Sequence, residues 1–319
     1  MRLVMIGTGF IAKQFAEDMK YAPNCQLHGV VSRTIESANQ FCADYAPSAK
    51  GFTDLDAAME GADAVYIASP HPLHKETAER AILAGKAVLC EKPLTMNLKD
   101  SEELYAFAKK HGVLLMEAMW TAFFPAIIKL QELIKDGKIG DIRNAQADFQ
   151  FYLEFDANHR LFNPELGGGA LLDLGVYPLV VSQFVYGNQY PEKVTSELIH
   201  GASDVDEQGS FTFTYTDGSF YQGAFGLQAM GSNEARIYGS QGSIRIPQNF
   251  WHPDKLEITY ANGDKEILNF EHPGIGLHYE LVSFAETWEK GLIENPIMTH
   301  SHSLQRARLV EEIFSKAKK

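Results

Sequence analysis

The chain has 319 residues, a length that predicts two domains at about 150 residues each. It carries 28 Lys and Arg against 41 Asp and Glu, a formal net charge of -13. A protein that binds nucleic acid or anionic membranes in general needs a basic surface, so this balance argues against both classes. The balance does not exclude a single anionic ligand in a local basic pocket.

The N-terminus is expected to carry no targeting segment. Its apolar run is about four residues long before Gly7, whereas a signal peptide needs about 7–15 apolar residues and a membrane span about 20. Three cysteines, Cys25, Cys42 and Cys90, do not predict a disulfide framework. No H-E-x-x-H or C-x-x-C pattern occurs, so no metal site is predicted. The sequence predicts a soluble cytoplasmic protein.

The first 118 residues alternate strand and helix patterns. Strands are predicted at 3–6, 27–31, 64–68, 87–90 and 113–116, with a weaker one near residue 52. Helices are predicted at 10–21, 35–45, 72–84 and 98–111. Such alternation is typical of an α/β fold with a doubly wound parallel sheet.

The pattern changes near residue 119, where we predict the domain boundary. Helices are expected at 121–136, 168–186, 279–290 and 304–318, and strands at 210–215, 219–225, 234–238, 243–246, 256–260 and 265–270. Asp217-Gly218 and Asn262-Gly263 separate pairs of these strands and indicate hairpins. The second half is therefore predicted to be a domain with a mainly antiparallel sheet, and the domains are expected at 1–119 and 120–319.

The first candidate site is the segment 7–12, Gly-Thr-Gly-Phe-Ile-Ala, which follows the first strand and opens the first helix. This G-x-G-x-x-A pattern is typical of a dinucleotide-binding turn, in which a pyrophosphate meets the helix N-terminus. An acidic residue after the second strand usually indicates NAD. This chain has Ser32 and Arg33 there, which suit the 2′-phosphate of NADP, so NADP is predicted and NAD is the alternative.

Two further turns follow predicted strands. Glu91-Lys92-Pro93 comes after strand 87–90, where ligands of open parallel sheets bind, so Lys92 is a candidate for cofactor and substrate contact. Ser69, His71 and His74 follow strand 64–68. These histidines either contact the cofactor or hydrogen-bond the backbone, and the sequence leaves both interpretations open.

The segment 167–177, Gly-Gly-Gly-Ala-Leu-Leu-Asp-Leu-Gly-Val-Tyr, opens an apolar helix. Asp173 and Tyr177 lie four residues apart and would share one helix face. Polar groups on an apolar helix need partners. The two residues are either a functional pair or a core tyrosine bonded to a structural aspartate.

Taken together, these motifs resemble those of the Gfo/Idh/MocA oxidoreductases over nearly the whole chain. The stretches 89–93, 116–125, 139–143 and 167–177 resemble most the branch of dimeric dihydrodiol dehydrogenases and NADP-linked D-xylose dehydrogenases. The resemblance implies an N-terminal Rossmann domain and a C-terminal α/β domain with a large open sheet. It also implies a nicotinamide cofactor and a sugar, polyol or diol substrate bound between the domains.

The resemblance also implies roles for individual residues. Lys92 and Tyr177 match the catalytic lysine and the general acid/base, Asp173 matches the aspartate of the same motif, and Trp120 and Arg143 match residues on the substrate side. Together with the turns described above, the expected cofactor contacts are Gly7, Thr8, Gly9, Phe10, Ile11, Ser32, Arg33, Ser69, His71, His74, Glu91 and Lys92.

We therefore predict an NADP-dependent dehydrogenase or reductase acting on CH–OH groups. The alternatives are an NAD-linked sugar or polyol dehydrogenase and a non-catalytic dinucleotide or sugar sensor. A sensor would be expected to have lost Lys92 or Tyr177, and both are present. The open sheet predicts a homodimer or a dimer of dimers, and the C-terminal helix is expected to pack back toward the first domain.

Overall fold

The computed structural model of the protein describes residues 1–317. The chain divides into two compact units, and each unit is built from two stretches of sequence. The first contains Met1–Phe123 and His272–Ser303, and the second contains Phe124–Glu271 and the residues from Leu304 onward. The predicted boundary at 119 did not anticipate that 272–303 belongs with the first stretch. The predicted helix end at 318 lies outside the described residues.

The first unit contains a six-stranded parallel sheet with strand order β3-β2-β1-β4-β5-β6. The strands are β1 (Arg2–Ile6), β2 (Gln26–Val31), β3 (Lys50–Phe52), β4 (Ala64–Ile67), β5 (Ala87–Glu91) and β6 (Leu115–Ala118). The helices that connect them are α1 (Phe10–Asp18), α2 (Ile35–Tyr45), α3 (Leu55–Met59), α4 (His74–Leu83) and α5 (Leu98–His111). The sheet confirms the predicted doubly wound α/β fold. Every residue of β4, β5 and β6 is buried, as expected for parallel strands covered on both faces.

The stretch His272–Ser303 contributes one helix to the first unit. Helix α8 (Leu277–Glu289) packs beside α1, and the Asp18 carboxylate at the end of α1 accepts bonds from three consecutive backbone amides at its start. Those amides belong to Ile275, Gly276 and Leu277, at distances of 2.8–3.1 Å. A carboxylate at a helix N-terminus satisfies amides that have no partner within the helix. Asp18 therefore joins α8 to the helix that follows the glycine-rich turn.

The second unit contains an eight-stranded sheet with strand order β14-β13-β12-β11-β7-β10-β9-β8. The strands are β7 (Ile142–Gln150), β8 (Lys193–His200), β9 (Asp206–Thr214), β10 (Phe220–Gly226), β11 (Ala235–Gly239), β12 (Gly242–Ile246), β13 (Lys255–Tyr260) and β14 (Lys265–Asn269). All neighbours are antiparallel except β7 and β10, which are parallel. The two predicted hairpins join β9 to β10 and β13 to β14.

One face of this sheet packs against helices of the same unit. Phe211, Phe213, Tyr221 and Phe225 are buried on that face, and helix α7 (Val176–Tyr186) lies against β7, β10 and β11. The unit also contains α6 (Pro125–Lys135), and α9 (His300–Lys316) enters it from Leu304 onward. One segment, Pro164–Tyr186, matches a membrane span in length and composition, but nearly all of it is buried in the protein interior.

Candidate active site

The glycine-rich turn joins β1 to α1. Gly7 has φ +104°, and a side chain there would place its Cβ 2.5 Å from the carbonyl oxygen of Ala68, so only glycine fits. A Cβ at Gly9 would meet nothing within 4 Å. Gly9 caps the nine-residue helix α1 without a side-chain hydrogen bond, so the first amides of α1 face an open approach. These features fit the pyrophosphate of a dinucleotide.

The other residues predicted to contact the cofactor at this turn are Thr8, Phe10 and Ile11. Phe10 is 77% exposed and Ile11 is half-buried. The hydroxyl of Thr8 lies 3.4 Å from the hydroxyl of Ser32 at the end of β2. The ends of the first two strands are therefore linked by two small polar side chains.

Arg33 follows Ser32 and is exposed. Within residues 1–317 it makes no hydrogen bond or ion pair. The next residue, Thr34, caps α2 by accepting a bond from the amide of Ser37 at 3.2 Å. No acidic side chain occupies the turn between β2 and α2 before Glu36, so a guanidinium is the charged group at this strand end.

The turn after β4 carries Ser69, His71 and His74. His74 is completely buried, with Nδ1 3.0 Å from the carbonyl oxygen of Pro93 and Nε2 2.9 Å from that of Ser69. Burial lowers the pKa of His74. Of the two interpretations left open for His74, this geometry agrees with hydrogen bonds to the backbone and not with a cofactor contact, because both ring nitrogens face backbone carbonyls inside the fold. His74 joins the turn after β4 to the turn after β5.

The Glu91-Lys92-Pro93 turn is held by hydrogen bonds from within the first unit. Glu91 Oε1 accepts a 2.5 Å bond from the hydroxyl of Tyr66, and Oε2 accepts a 3.3 Å bond from the amide of Lys92. The Lys92–Pro93 bond is cis. Glu91 is buried and Lys92 is half-buried. The Glu91 carboxylate, predicted as a cofactor contact, is directed into the fold and fixes the backbone that carries Lys92.

The two residues predicted for the substrate side lie in different units. Trp120 stands in a 3₁₀ turn after β6, is 8% exposed, and belongs to the first unit. Arg143 stands near the start of β7, exposed and paired with Asp141 at 3.3 Å. It precedes Phe149 by six residues on the same strand, which at about 3.3 Å per residue separates them by ~20 Å. Phe149 is the β7 residue that contacts Tyr177, so Arg143 lies well away from Tyr177 along the strand, and its role on the substrate side stays a prediction.

Tyr177 stands at the second position of α7, directly after a π-helical turn, Leu171–Gly175. Its ring lies 5.4 Å from the ring of Phe149, and Phe149 is stacked on Trp251 at 3.9 Å with an interplanar angle of 10°. Tyr177 is 7% exposed. A tyrosine thus stands beside a flat aromatic pair.

The triple glycine before this helix is held by Asp206, the first residue of β9. Gly169 has φ +117°, and a Cβ there would collide with the Asp206 carboxylate. The Asp206 Oδ2 atom accepts a 2.6 Å bond from the amide of Leu171. Burial raises the pKa of Asp206 to about 6, against the opposing effect of the bonded amides. Asp206 therefore caps the segment that carries Asp173 and Tyr177.

Asp173 lies within the π-helical turn and is 7% exposed. Its two carboxylate oxygens accept bonds from the two terminal nitrogens of Arg160, each at 3.0 Å. A bidentate pair of this kind is among the stronger polar contacts in proteins. Its geometry favours a positioning role for Asp173.

The sequence prediction missed Arg160, Asp206, Phe149 and Trp251. None of these residues belongs to a sequence motif. Each lies near the segment 167–177 only because strand pairing or a long loop brings it there. The one available signal was the concentration of aromatic residues at 149–155 and 250–251. Among residues 1–317, no three His, Cys, Asp or Glu side chains converge as metal ligands.

Two family models match most of the chain. Residues 1–119 match the model described as an oxidoreductase family with an NAD-binding Rossmann fold, and residues 127–245 match the GFO/IDH/MocA C-terminal domain. The two matches correspond to the six-stranded sheet and to the larger part of the eight-stranded sheet.

Similarity to known proteins extends over nearly the whole chain. A trans-1,2-dihydrobenzene-1,2-diol dehydrogenase of Sus scrofa is 32% identical over 98% of this chain and 96% of its own length. The scyllo-inositol 2-dehydrogenase (NADP(+)) IolU of Bacillus subtilis (strain 168) is 35% identical over 98% of this chain and 95% of its own.

A solved structure supports the same assignment. KijD10, a 3-ketoreductase from Actinomadura kijaniata in complex with NADP, has a TM-score of 0.88 and 27% identity, covering 100% of this chain and 98% of that one. With 32% identity to a relative over nearly its full length, the chain belongs to the Gfo/Idh/MocA family and is an NAD(P)-dependent oxidoreductase.

Proposed function

We propose that this enzyme is an NADP-dependent dehydrogenase or reductase that acts on a CH–OH or carbonyl carbon of a sugar, polyol or diol. The observation that carries the proposal is that each unit supplies one residue that the chemistry needs. Lys92 stands at a buried, hydrogen-bonded turn after β5, and Tyr177 stands beside the Phe149–Trp251 pair.

The cofactor preference rests on the end of β2. A 2′-phosphate is recognised by hydroxyl and guanidinium donors, and an acidic side chain would repel it. Ser32 and the exposed Arg33 supply such donors. Gly7, Gly9 and the first amides of α1 would hold the pyrophosphate, and the turns after β4 and β5 would complete the cofactor side. Relatives named for NADP, the inositol dehydrogenase and the KijD10 complex, support the preference.

A bound nicotinamide supplies or accepts the hydride. Tyr177 accepts the proton of the substrate hydroxyl during oxidation and returns it during reduction. An unperturbed phenol has a pKa of about 10 and is a weak base at neutral pH. An ammonium group stabilises a phenolate and lowers its pKa, and Lys92 is the proposed source of that charge. The two side chains belong to different units, so a double variant tests their cooperation.

The aromatic pair supports a ring-shaped substrate. The Phe149–Trp251 stack offers a flat apolar surface next to the ring of Tyr177. The C–H face of a sugar or polyol ring, or the ring of a cyclic diol, packs well on such a surface, while its hydroxyls need polar partners. The named substrates of the relatives, an inositol and a dihydrobenzene diol, have this shape.

The alternatives predict different behaviour. A sensor binds NADP or a sugar without turnover. An NAD-linked enzyme prefers the cofactor that lacks the 2′-phosphate. Absorbance at the NADPH band, followed against a panel of aldoses, deoxysugar ketones and vicinal diols, separates the three. We expect turnover with NADP(H) on at least one member. Tight cofactor binding with no turnover on the whole panel would favour the sensor, and faster turnover with NAD(H) would favour the NAD-linked enzyme.

A further inference from the structure

A buried glutamate without a partner lies in the first unit. Glu280 stands in the first turn of α8 and is 0% exposed. Neither of its carboxyl oxygens has a hydrogen-bond partner within residues 1–317. A buried ionised carboxylate without donors is strongly unfavourable. Glu280 therefore needs an explanation, and the proposed reaction does not supply one.

The charged neighbour of Glu280 is Glu91, the first residue of the Glu-Lys-Pro turn. Repulsion from Glu91, added to burial, raises the pKa of Glu280 well above its ordinary value. Burial raises the pKa of the Tyr66 hydroxyl well above its ordinary value, and the charges of Glu91 and Glu280 raise it further. Glu280, Glu91 and Tyr66 therefore form one cluster beneath the turn that carries Lys92.

Other ionisable groups lie on the elements that pack against α8, and two of them on α1, Lys13 and Glu17, are exposed. Cys90 on β5 is completely buried and burial raises its pKa, so it adds no charge. Asp18 at the end of α1 is engaged with the α8 amides and with His278. The 3₁₀ turn Met19–Tyr21 contributes the exposed Lys20 and the half-buried Tyr21. The turn Trp120–Phe123 has no ionisable side chain.

Hydrogen bonding decides which carboxyl of the cluster carries a proton. The donors to Glu91 include the hydroxyl of Tyr66 and the amide of Lys92, and donors favour an ionised carboxylate. Glu280 receives none. Two neighbouring buried carboxyls do not both ionise readily. Glu280 is therefore the carboxyl of this pair that holds a proton, and Glu91 is the one that carries the charge.

We propose that Glu280 is a positioning residue for Lys92: it holds a proton at neutral pH and thereby keeps Glu91 as the single negative charge that fixes the amide of Lys92. When Glu280 loses its proton, a second negative charge repels Glu91 and loosens its bond to that amide. The link from this effect to turnover rests on the proposed function, but the state of the Lys92 amide does not.

The test observes the amide nitrogen of Lys92 directly. Carbonyl-¹³C glutamate and ¹⁵N lysine label only Glu–Lys peptide bonds, and the sequence contains three, at 91–92, 192–193 and 289–290. A carbon-detected carbonyl–nitrogen correlation then gives three signals, and Lys92→Arg identifies one. The other two, from Lys193 and Lys290, are internal controls during a titration from neutral to alkaline pH.

We expect the Lys92 nitrogen of the wild-type protein to shift in a step above neutral pH that the control signals lack. Glu280→Gln imitates the protonated side chain, and we expect the step to be lost. Thr287→Val, a buried change on the same helix, should retain it. Glu280→Met replaces the glutamine variant if that variant fails to fold. A wild-type Lys92 nitrogen without the step, or a step unchanged in the Glu280 variants, would overturn the proposal.

A second measurement separates this inference from the proposed function. NADPH affinity is measured by fluorescence titration over the same pH range. We expect wild-type affinity to fall through the step and the affinity of Glu280→Gln to lack that fall. Identical pH profiles would overturn the positioning role. If the wild-type protein binds NADPH at no pH, the proposed function fails, and the nitrogen titration still decides whether Glu280 acts on Lys92.

Discussion

At the scale of single residues, the proposed preference for NADP rests on one exposed side chain. Arg33 is not held by any other residue of 1–317, so its removal should leave the fold unchanged. A hydrogen bond to a charged group contributes roughly 1.5–3 kcal/mol, and about 1.4 kcal/mol is a tenfold change in affinity. Arg33→Ala should therefore weaken NADPH binding about ten- to hundredfold and affect NADH little.

The control is Arg80→Ala, which removes the same charge from an exposed position on α4 where the guanidinium pairs with Asp56 at 3.0 Å. Isothermal titration of both cofactors against the three proteins measures the difference. Equal losses of NADH and NADPH affinity in Arg33→Ala would contradict the assignment of the 2′-phosphate to this residue.

The Asp173–Arg160 pair permits a second test at this scale. Asp173 is buried and Arg160 is half-exposed. Removing the guanidinium leaves a buried carboxylate without its bidentate partner, whereas removing the carboxylate leaves the arginine in water. Arg160→Gln should therefore lower the melting temperature more than Asp173→Asn does. The melting temperature of the double variant should fall by less than the sum of the two single decreases. Strict additivity would mean that the pair does not act as a unit.

At the scale of elements, Asp206 makes the start of the Tyr177 helix dependent on pH. Burial raises its pKa to about 6 in the folded protein, above an unfolded value of about 3.9. The folded state then binds more protons between these values, so this group's contribution to stability is complete below pH ~4 and is lost as the pH rises through about 6. Two pKa units correspond to about 3 kcal/mol.

Asp206→Asn removes this titration. The melting temperature of the variant relative to wild type should rise steadily between pH ~4 and ~6.5 and be constant above that range. The test is the change of this difference with pH and not its size at one pH, because asparagine also weakens the bond to the amide of Leu171. That weakening shifts the melting temperature at every pH. A difference between the two proteins that does not change with pH would show that Asp206 keeps its ordinary pKa.

Strongly periodic elements were predicted well from the sequence. The helices at 35–45 and 98–111 begin and end where predicted, because side-chain caps, Thr34 and Asn97, stand directly before them. Strand β8 was missed, because its alternating residues are largely polar and the strand lies at the edge of the sheet. Helix α3 has only five residues, too few for a periodic pattern.

The candidate site was predicted less completely, for a physical reason. A motif after a strand places a residue at one end of a parallel sheet, and Gly7, Arg33 and Lys92 do follow β1, β2 and β5 in the structure. It does not tell whether a side chain faces solvent or the fold, so the sequence left open whether His74 contacts the cofactor or the backbone. In the structure it bridges two carbonyls. The π-helical turn at Leu171–Gly175 could not be predicted from the sequence either, because it changes the helical register without a periodic signal.

At the scale of the whole molecule, we propose that the open sheet forms a two-fold interface. Its outward side chains over β9 and β10 include Thr212, Thr214, Gln222 and Ala224, and none is charged. Over β11–β13 the outward face differs from the predicted uncharged surface. Arg236 and Arg245 pair with Glu234, and Arg245 also pairs with Glu257. The uncharged part of the face is therefore the proposed centre of the interface.

Light scattering at micromolar concentration tests the interface. The wild-type protein should have the mass of a dimer or a larger even assembly. Ala224→Glu should shift it toward the monomer, since a charge at a two-fold contact meets its own copy and cannot be paired there. Ile267→Glu, at the exposed far edge of the sheet on β14, is the control and should not change the mass. A monomeric wild-type protein would contradict the proposal.

The central claim is that Tyr177 exchanges a proton with the substrate while a separate part of the chain holds the cofactor. The most direct test compares Tyr177→Phe with wild type on one active substrate, measuring kcat and NADPH affinity together. General acid–base catalysis contributes about 10²–10⁴-fold, so kcat should fall by that order while the Kd of NADPH stays within about twofold. An unchanged kcat, or a loss of NADPH affinity as large as the loss of kcat, would contradict the account.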